Sequence, residues 1–470
     1  MSLSEKVIKF KEIEKKAQEK AFELGRQLLQ KALEEFDTDL MQRRDKRKYI
    51  HKGKRKTTVK TVLGEVSYER ALYEVRVEGA SLKRVYLLDD AMGFQGSGQF
   101  SELLRDMIIE ASCDGAYRSA ARAVSEMTGQ TISHTAAWNI VQSVGDELGE
   151  REEASAKAVK KGKSSGAIEA PLLFEEQDGI YLKLQGKERK NNVKGKEMKV
   201  GIAYDGTTRV GKNRYELSNK IACANFESAD KFVKRKEGVI ASVYNVDEII
   251  MRFLNGDGAS WIRRSQTDDS VHFQLDQFHR NRAVIRHVSN LESRKRIMKI
   301  LHSQDIELLL HVIETESLST DDAEERDNYL ELLRYFENNK DGLIPCHMRG
   351  LDMPPLPEGK EYRRMGAMES NVFTLIGNRM KGRRACWSIK GGNNLARLLC
   401  LKHTKRLGEA LENISACILP ERYSEEILAT TSSAEIKEKV GKGYNGFRQM
   451  LIPSSYKWLK DIATIKPLYS

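Results

Sequence analysis

Three acidic residues, Asp178, Asp257 and Glu369, are the ones in this chain best suited to do chemistry together. Asp178 sits in Leu172-Leu173-Phe174-Glu175-Glu176-Gln177-Asp178-Gly179, and Asp257 follows Leu254-Asn255-Gly256 and precedes Gly258. Glu369 lies in Gly366-Ala367-Met368-Glu369-Ser370-Asn371. The first two fall in or just after apolar runs that read as strands, and the third opens a helical run. Three carboxylates gathered by a fold can hold two Mg²⁺ ions, with Mn²⁺ as a substitute. Such a pair activates a nucleophilic oxygen and stabilises a leaving oxygen in phosphodiester chemistry. Taken singly each residue is ordinary. Asp-Gly is turn material, a Gly-Asp-Gly stretch bends easily, and a glutamate at a helix start suits the dipole.

The elements that must bring these groups together form a mixed pattern. Strands are expected at 171–176, 180–185, 198–204 and 214–225, so Asp178 should lie near a strand end or turn. A helix near 228–236 and a helical or mixed run at 239–254 follow. His272-Phe273-Gln274-Leu275 reads as a strand leading into a helix near 276–288. Three antiparallel-looking strands followed by alternating elements predict a mixed α/β fold, and the succession resembles a ribonuclease-H-like core. Residues 292–338 turn helical and charged, and Met353-Pro354-Pro355-Leu356-Pro357 closes that stretch. The expected organisation is a core at 168–291 and 354–400, a helical insertion at 292–353, and a C-terminal region at 401–470 without an assigned role.

Upstream, residues 3 to about 36 predict one long helix. Its stripe Phe10, Ile13, Ala17, Ala21, Leu24 and Leu28 suits docking on the rest of the chain or self-association. Arg43-Arg44-Asp45-Lys46-Arg47-Lys48, then Lys52 and Lys54-Arg55-Lys56, reads as an exposed basic segment completing residues 1–56. Residues 57–77 predict a β-hairpin around Leu63-Gly64-Glu65. Tyr117–Met127 and a helix capped by Ser133, separated by Thr128-Gly129-Gln130, fit a helix-turn-helix. In that reading His134, Thr135 and Asn139 approach base edges while Arg118 and Arg122 meet phosphates. Hairpin and helices together make a mainly helical DNA-binding region at 57–150, and residues 151–167 read as a linker.

The chain of 470 residues carries 79 basic against 68 acidic side chains, a net charge of +11. A polyanion partner accounts for that excess, as does a merely solvated surface. Six scattered cysteines without a Cys-x-x-Cys pair argue against a disulfide framework or structural zinc and for a reducing cytosol. No apolar stretch is long enough to span a bilayer, and no apolar signal segment opens the chain. A cytoplasmic protein is expected.

Several motifs, taken in order, resemble the DDE transposases of bacterial insertion sequences, the ISLre-type family related to the Mutator-like group. They are Leu63-Gly64-Glu65-Val66, Asp178-Gly179, Asp257-Gly258-Ala259-Ser260-Trp261-Ile262, Leu275-Asp276-Gln277-Phe278-His279, Met368-Glu369-Ser370-Asn371 and Asn378-Arg379-Met380-Lys381-Gly382-Arg383, so the resemblance covers most of residues 57–400. The resemblance implies that Asp178, Asp257 and Glu369 form the metal-holding triad. It implies further that double-stranded DNA, at element ends and target, is cut and joined, with at least a dimer assembled on it. Asp276-x-x-His279 is similar to a signature that follows the second aspartate in this superfamily. Two roles fit His279, a local brace with Asp276 on one helix face or contact with DNA near the scissile phosphate; the brace is preferred. Arg379, Lys381, Arg383 and Arg384 are expected to touch DNA beside the active site, and Trp387 to be core.

Overall fold

The computed structural model describes residues 9–75, 82–94, 99–159, 161–162, 166–382 and 384–414. They form two compact units. One holds the described residues up to Leu104 with Thr128–Gln130; the other holds Arg105–Met127 and Thr131–Ile414. Arg383 and residues 415–470, most of the expected C-terminal region, lie outside the described residues.

In the first unit α1 (Phe10–Arg43) packs on an antiparallel hairpin, β1 (Tyr49–Thr61) and β2 (Gly64–Val75). Thr61 pairs with Gly64 around a two-residue turn, and Gly64 has φ +115°, a conformation that favours glycine. β3 (Lys83–Val85) pairs with the other side of β2, and α2 (Leu87–Ala91) follows. The hairpin is longer than expected. Lys52–Lys56, read as part of an exposed basic segment, belongs to β1, an edge strand on which lysines also discourage pairing with other chains. The docking face of α1 lies later than its stripe suggests. Leu33 and Phe36 join Val59, Val66, Tyr68 and Leu88 in the core, whereas Phe10 is 76% exposed. Asp37, buried beside them, accepts the Ala71 amide.

The second unit is mixed α/β. It begins with α3 (Glu102–Asp114), most of which it contains, α4 (Tyr117–Thr128) and α5 (His134–Val159). α5 is a 26-residue helix that runs through most of the expected linker. The central sheet contains β4 (Leu172–Lys183), β5 (Gly195–Tyr204), β8 (Ile221–Asn225), β9 (Met251–Gly256) and β10 (Val271–Leu275). The short α6 (Lys187–Lys190) and the small hairpin β6 (Thr207–Gly211) and β7 (Arg214–Leu217) interrupt this series. The strand order is β10-β9-β4-β5-β8; β4, β5 and β8 are antiparallel neighbours, and β4, β9 and β10 are parallel.

β4 corrects the expected break at Asp178-Gly179. Asp178 pairs with Val200 and Gly179 with Lys199, so the strand continues through both. Asp and Gly have poor intrinsic strand preference, but the ladder with β5 decides here. α7 (Ala229–Ala241) precedes β9, α8 (Ser260–Arg263) precedes β10, and α9 (Gln277–His287) follows it. Three helices then form the insertion, α10 (Leu291–Ser303), α11 (Ile306–Ser319) and α12 (Ala323–Asn338). Their Ile297, Leu301, Leu309, Ile313, Tyr329, Leu332 and Phe336 pack with Phe273 and Leu275 of β10. The chain returns through α13 (Met368–Val372), a π-turn at Phe373–Gly377 and α14 (Asn378–Met380). α15 (Ile389–His403) and α16 (Leu407–Ile414) complete the unit. α15 is buried along most of its length against α5 and β8. Among the described residues, no helix is long and apolar enough to cross a membrane.

Candidate carboxylate–histidine centre

Register alone brings the acidic residues toward one edge of the sheet. In the parallel pair β4–β9, Glu176 sits opposite Asn255. Two residues on, the same step carries the chain to Asp178 on one strand and Asp257 on the other. In β9–β10, Leu275 sits opposite Gly256, and the Asp276 amide donates to the Gly256 carbonyl at 2.8 Å. Asp178, Asp257 and Asp276 therefore follow one another across neighbouring strands about 4.8 Å apart. The carboxyl ends of parallel strands are the usual place for a site in open α/β sheets.

Asp178, His279 and Glu369 converge most tightly. One ligand atom from each lies within 4.8 Å of the others, and His279 Nε2 is 3.9 Å from Asp178 Oδ2. Asp178 and His279 are half-buried, and Glu369, in the first turn of α13, is exposed. Gln177, Asn255, Gly256, Asp276, Phe278 and Met368 help line the same cleft. Burial pushes the Asp178 carboxyl up to about 6; Asp257 and Glu369 add to this, while the Gly179 amide and His279 oppose it. Asp257 is thus close enough to act on Asp178 electrostatically, although it is outside the tight three-residue group.

A buried polar frame holds these groups. Glu176, on the same face of β4 as Asp178, accepts from Tyr204 Oη at 2.7 Å and Asn255 Nδ2 at 3.2 Å. It also accepts the amides of Gly366 at 3.0 Å and Met368 at 3.2 Å, which seats the backbone presenting Glu369. Burial raises the Glu176 carboxyl above its ordinary range. Asn255 also donates to Asp276 Oδ2 at 2.8 Å and accepts from Gln274 at 3.1 Å. The loop after β9 is fixed differently. Asp257 Oδ1 accepts the Ala259 amide at 2.8 Å, and Tyr335 of α12 donates to the Asp257 carbonyl at 2.9 Å. Gly258 has φ +86°, and a Cβ there would come within 2.3 Å of Asn339 Oδ1. The insertion therefore braces the Asp257 loop.

His279 departs from the preferred sequence reading. Asp276 is not a helical partner for its imidazole; it is the N-cap of α9 and accepts the Phe278 and His279 amides at 3.0 and 3.2 Å. The imidazole faces Asp178 instead. A cap preference at the strand-to-helix junction was the available signal, since Asp ends strands and starts helices readily. Arg379 also departs from expectation. Its Nε donates to the Ser112 carbonyl at 2.9 Å, and its guanidinium lies 5.6 Å from the Tyr117 ring and 5.4 Å from that of Trp387. That engagement ties α14 to α3 and removes Arg379 from a free basic surface. Trp387 is core, with its indole N–H on the Met380 carbonyl. Lys381 and Arg384 are exposed.

The other candidate nucleic-acid residues lie apart from this centre along the chain. Arg118 and Arg122 are exposed on α4, and His134, Thr135 and Asn139 are exposed on the first turns of α5. Gly129 between the helices has φ +67°, and Ser133 caps α5 by accepting the Ala136 amide at 3.0 Å, as its sequence position predicts. α5 is longer than a helix-turn-helix needs, because Val141, Val144 and Leu148 continue into the core.

Fold and centre together define a mixed α/β protein with a cluster of carboxylates and one imidazole at the parallel edge of its sheet. The chain belongs to the uncharacterised protein family UPF0236, whose model matches residues 3–411. It is 23% identical over 352 residues to the UPF0236 protein in the vanSb 3'region of Streptococcus gallolyticus, covering 72% of this chain and 70% of that one. It is 24% identical over 358 residues to UPF0236 protein TTE2489 of Caldanaerobacter subterraneus subsp. tengcongensis, covering 73% and 68%. A further relative from the same strain is 25% identical over 357 residues, covering 73% and 68%. The name of that relative joins eleven locus designations, beginning with TTE0033.

Proposed function

We propose that this chain is a DDE-type transposase with a ribonuclease-H-like core, acting on double-stranded DNA with Mg²⁺ or Mn²⁺. The observation that carries this reading is the convergence of Asp178 within β4, His279 and Glu369, with Asp257, just past the end of β9, beside them. The strand order supports the core assignment. A first strand in the centre, two antiparallel partners on one side and two parallel strands on the other is the ribonuclease-H pattern. The helical insertion between Asp257 and Glu369 accounts for their long separation. One protein name shared by eleven loci of a single strain fits an element that copies itself.

The donor set suits the proposed ions. Asp178, Asp257 and Glu369 supply the hard carboxylate oxygens that Mg²⁺ and Mn²⁺ take, and the imidazole of His279 stands beside Asp178. Bound divalent metal would lower the pKa of the attacking oxygen and stabilise the leaving one during cleavage and strand transfer. The chain's own part is positioning. Glu176 fixes the backbone before Glu369, Tyr335 fixes the Asp257 loop, and His279 faces Asp178 across 3.9 Å. Arg118 and Arg122 would meet phosphates, and His134, Thr135 and Asn139 base edges, while Lys381 and Arg384 stand near α13 and α14 in the chain. Two ends must be joined, so the assembly on DNA is at least a dimer.

The test is Mg²⁺-dependent cleavage and joining of a labelled element-end duplex by the intact chain and by Asp257→Asn. Both reactions by the intact chain, lost in the variant with DNA binding kept, are expected. Cleavage without joining would make the chain a nuclease. Binding without cleavage in Mg²⁺ and Mn²⁺ would make it a silent DNA-binding protein.

A further inference from the structure

α9 begins at the carboxylate–histidine centre and carries an outward stripe that the proposed chemistry does not use. Phe278 lines the cleft with Asp178, His279 and Glu369, yet it is 49% exposed. Its ring meets the His279 imidazole edge-on, with centroids 5.4 Å apart at 87°. The Arg282 guanidinium lies 5.8 Å from the same ring. Arg286 follows four residues later, and Arg282 and Arg286 are both exposed. Phe278, Arg282 and Arg286 therefore stand at i, i+4 and i+8, one above another on a single helix face, about 6 Å apart along the axis. The sequence of α9, Gln277-Phe278-His279-Arg280-Asn281-Arg282-Ala283-Val284-Ile285-Arg286-His287, contains no acidic residue.

An exposed phenylalanine beside a cluster of carboxylates is a poor solvated surface and a poor core residue. Its open face suits a flat apolar partner. The arginines beyond it suit anions spaced along a strand. An aromatic platform followed by regularly placed cations is the chemistry that holds single-stranded nucleic acid, since every base offers a π-face and every step a phosphate. We infer that the α9 face binds the unpaired strand leading into the centre, with a base stacked on Phe278 and backbone phosphates on Arg282 and Arg286. This rests on the reading of the centre as a DNA-cutting site and deepens it. The bound form is a locally opened duplex, and Phe278 is a positioning residue that sets which phosphate meets Asp178 and Glu369. Stacking is indifferent to base identity, so the track contributes register and not sequence preference.

The experiment uses the full-length chain without added Mg²⁺ and two probes, a short single-stranded oligonucleotide and a blunt duplex, each carrying one 2-aminopurine. Phe278→Ala is expected to weaken single-strand binding about 5- to 150-fold, the range that loss of one stacked base predicts. It should also abolish the change in 2-aminopurine emission seen with the unaltered chain. Phe278→Trp should keep both. Arg282→Ala and Arg286→Ala should each lower the salt dependence of single-strand binding by about 0.7 in log–log slope. Because Phe278 is half exposed, an unchanged thermal midpoint in Phe278→Ala would separate lost stacking from lost folding. Equal single-strand affinity and equal emission change in Phe278→Ala would overturn the inference. If the unaltered chain still cut the element-end duplex, the proposed function would stand without it. Failure of the unaltered chain to bind any of these DNAs would sink both.

Discussion

Asp178 sits where burial and two neighbouring carboxylates all disfavour its charge, and its carboxyl is pushed up to about 6 from an ordinary 3.8. The folded metal-free protein therefore holds a proton that the unfolded chain has released between these two values. The contribution of Asp178 to stability is most favourable below about pH 4, falls as pH rises through the window, and carries the full penalty above about pH 6. A shift of this size is worth at most about 3 kcal/mol, less the screening available to a partly exposed group. Asp178→Asn should accordingly raise the thermal midpoint of the metal-free protein at pH 7 and leave it nearly unchanged at pH 4. A variant less stable than the parent at pH 7 would mean that the Gly179 amide and His279 outweigh the repulsion. The three acidic positions were legible only through ordered motifs that resemble a known family, because each local setting taken singly is ordinary. The direction of His279 was not. It depends on Asp276 being a cap and not a helical residue, and that is decided by where β10 stops.

At the scale of elements, β4 is the piece on which the site depends, and its two faces are both charged and buried. On one face Glu175 is held by Lys236 and Arg252, with Glu237 completing the network. Burial alone would raise Glu237, but Lys236 and Arg252 outweigh it and hold that carboxyl down at about 2. On the other face Glu176 accepts from Tyr204, Asn255, Gly366 and Met368. Glu176→Ala would strand buried donors that each cost about 1–3 kcal/mol when left unmade. It should destabilise the second unit by about 3 kcal/mol or more and reduce cleavage by misplacing Glu369, with duplex affinity little changed. Denaturant unfolding and cleavage rate read these separately. Loss of stability with an unchanged cleavage rate below the new midpoint would show that Glu369 does not depend on Glu176. β10, α7 and α9 were legible from pattern, and the break at 353–357 marked the end of the insertion. β4 was not, because Gln177-Asp178-Gly179 reads as a turn until β5 pairs with it. The length of α5 escaped for a related reason. Its second half is helical because it packs on α7 and α15, a contact with residues far along the chain that local composition does not reveal.

For the whole molecule, the relevant quantity is an excess of 79 basic over 68 acidic side chains spread over two compact units. Phosphate contacts made by such a surface release counterions, so duplex affinity should fall linearly with salt on logarithmic axes, by about 0.9 per phosphate neutralised. Base contacts leave that slope alone and change preference between sequences. The exposed residues of α4 and α5 divide along this line. Arg118→Ala with Arg122→Ala should lower the slope by about 1.8 and weaken all duplexes alike. His134→Ala with Asn139→Ala should keep the slope and reduce the preference for element ends over random duplex by about 1–3 kcal/mol per lost base contact. Titrations of both double variants over a range of salt, against end and random duplexes, measure the two effects independently. A slope unmoved by the α4 pair would take that helix off the DNA and leave affinity to Lys381, Arg384 and the basic β1 strand. A preference unmoved by the α5 pair would mean that end recognition belongs to another surface, even if α4 holds the backbone.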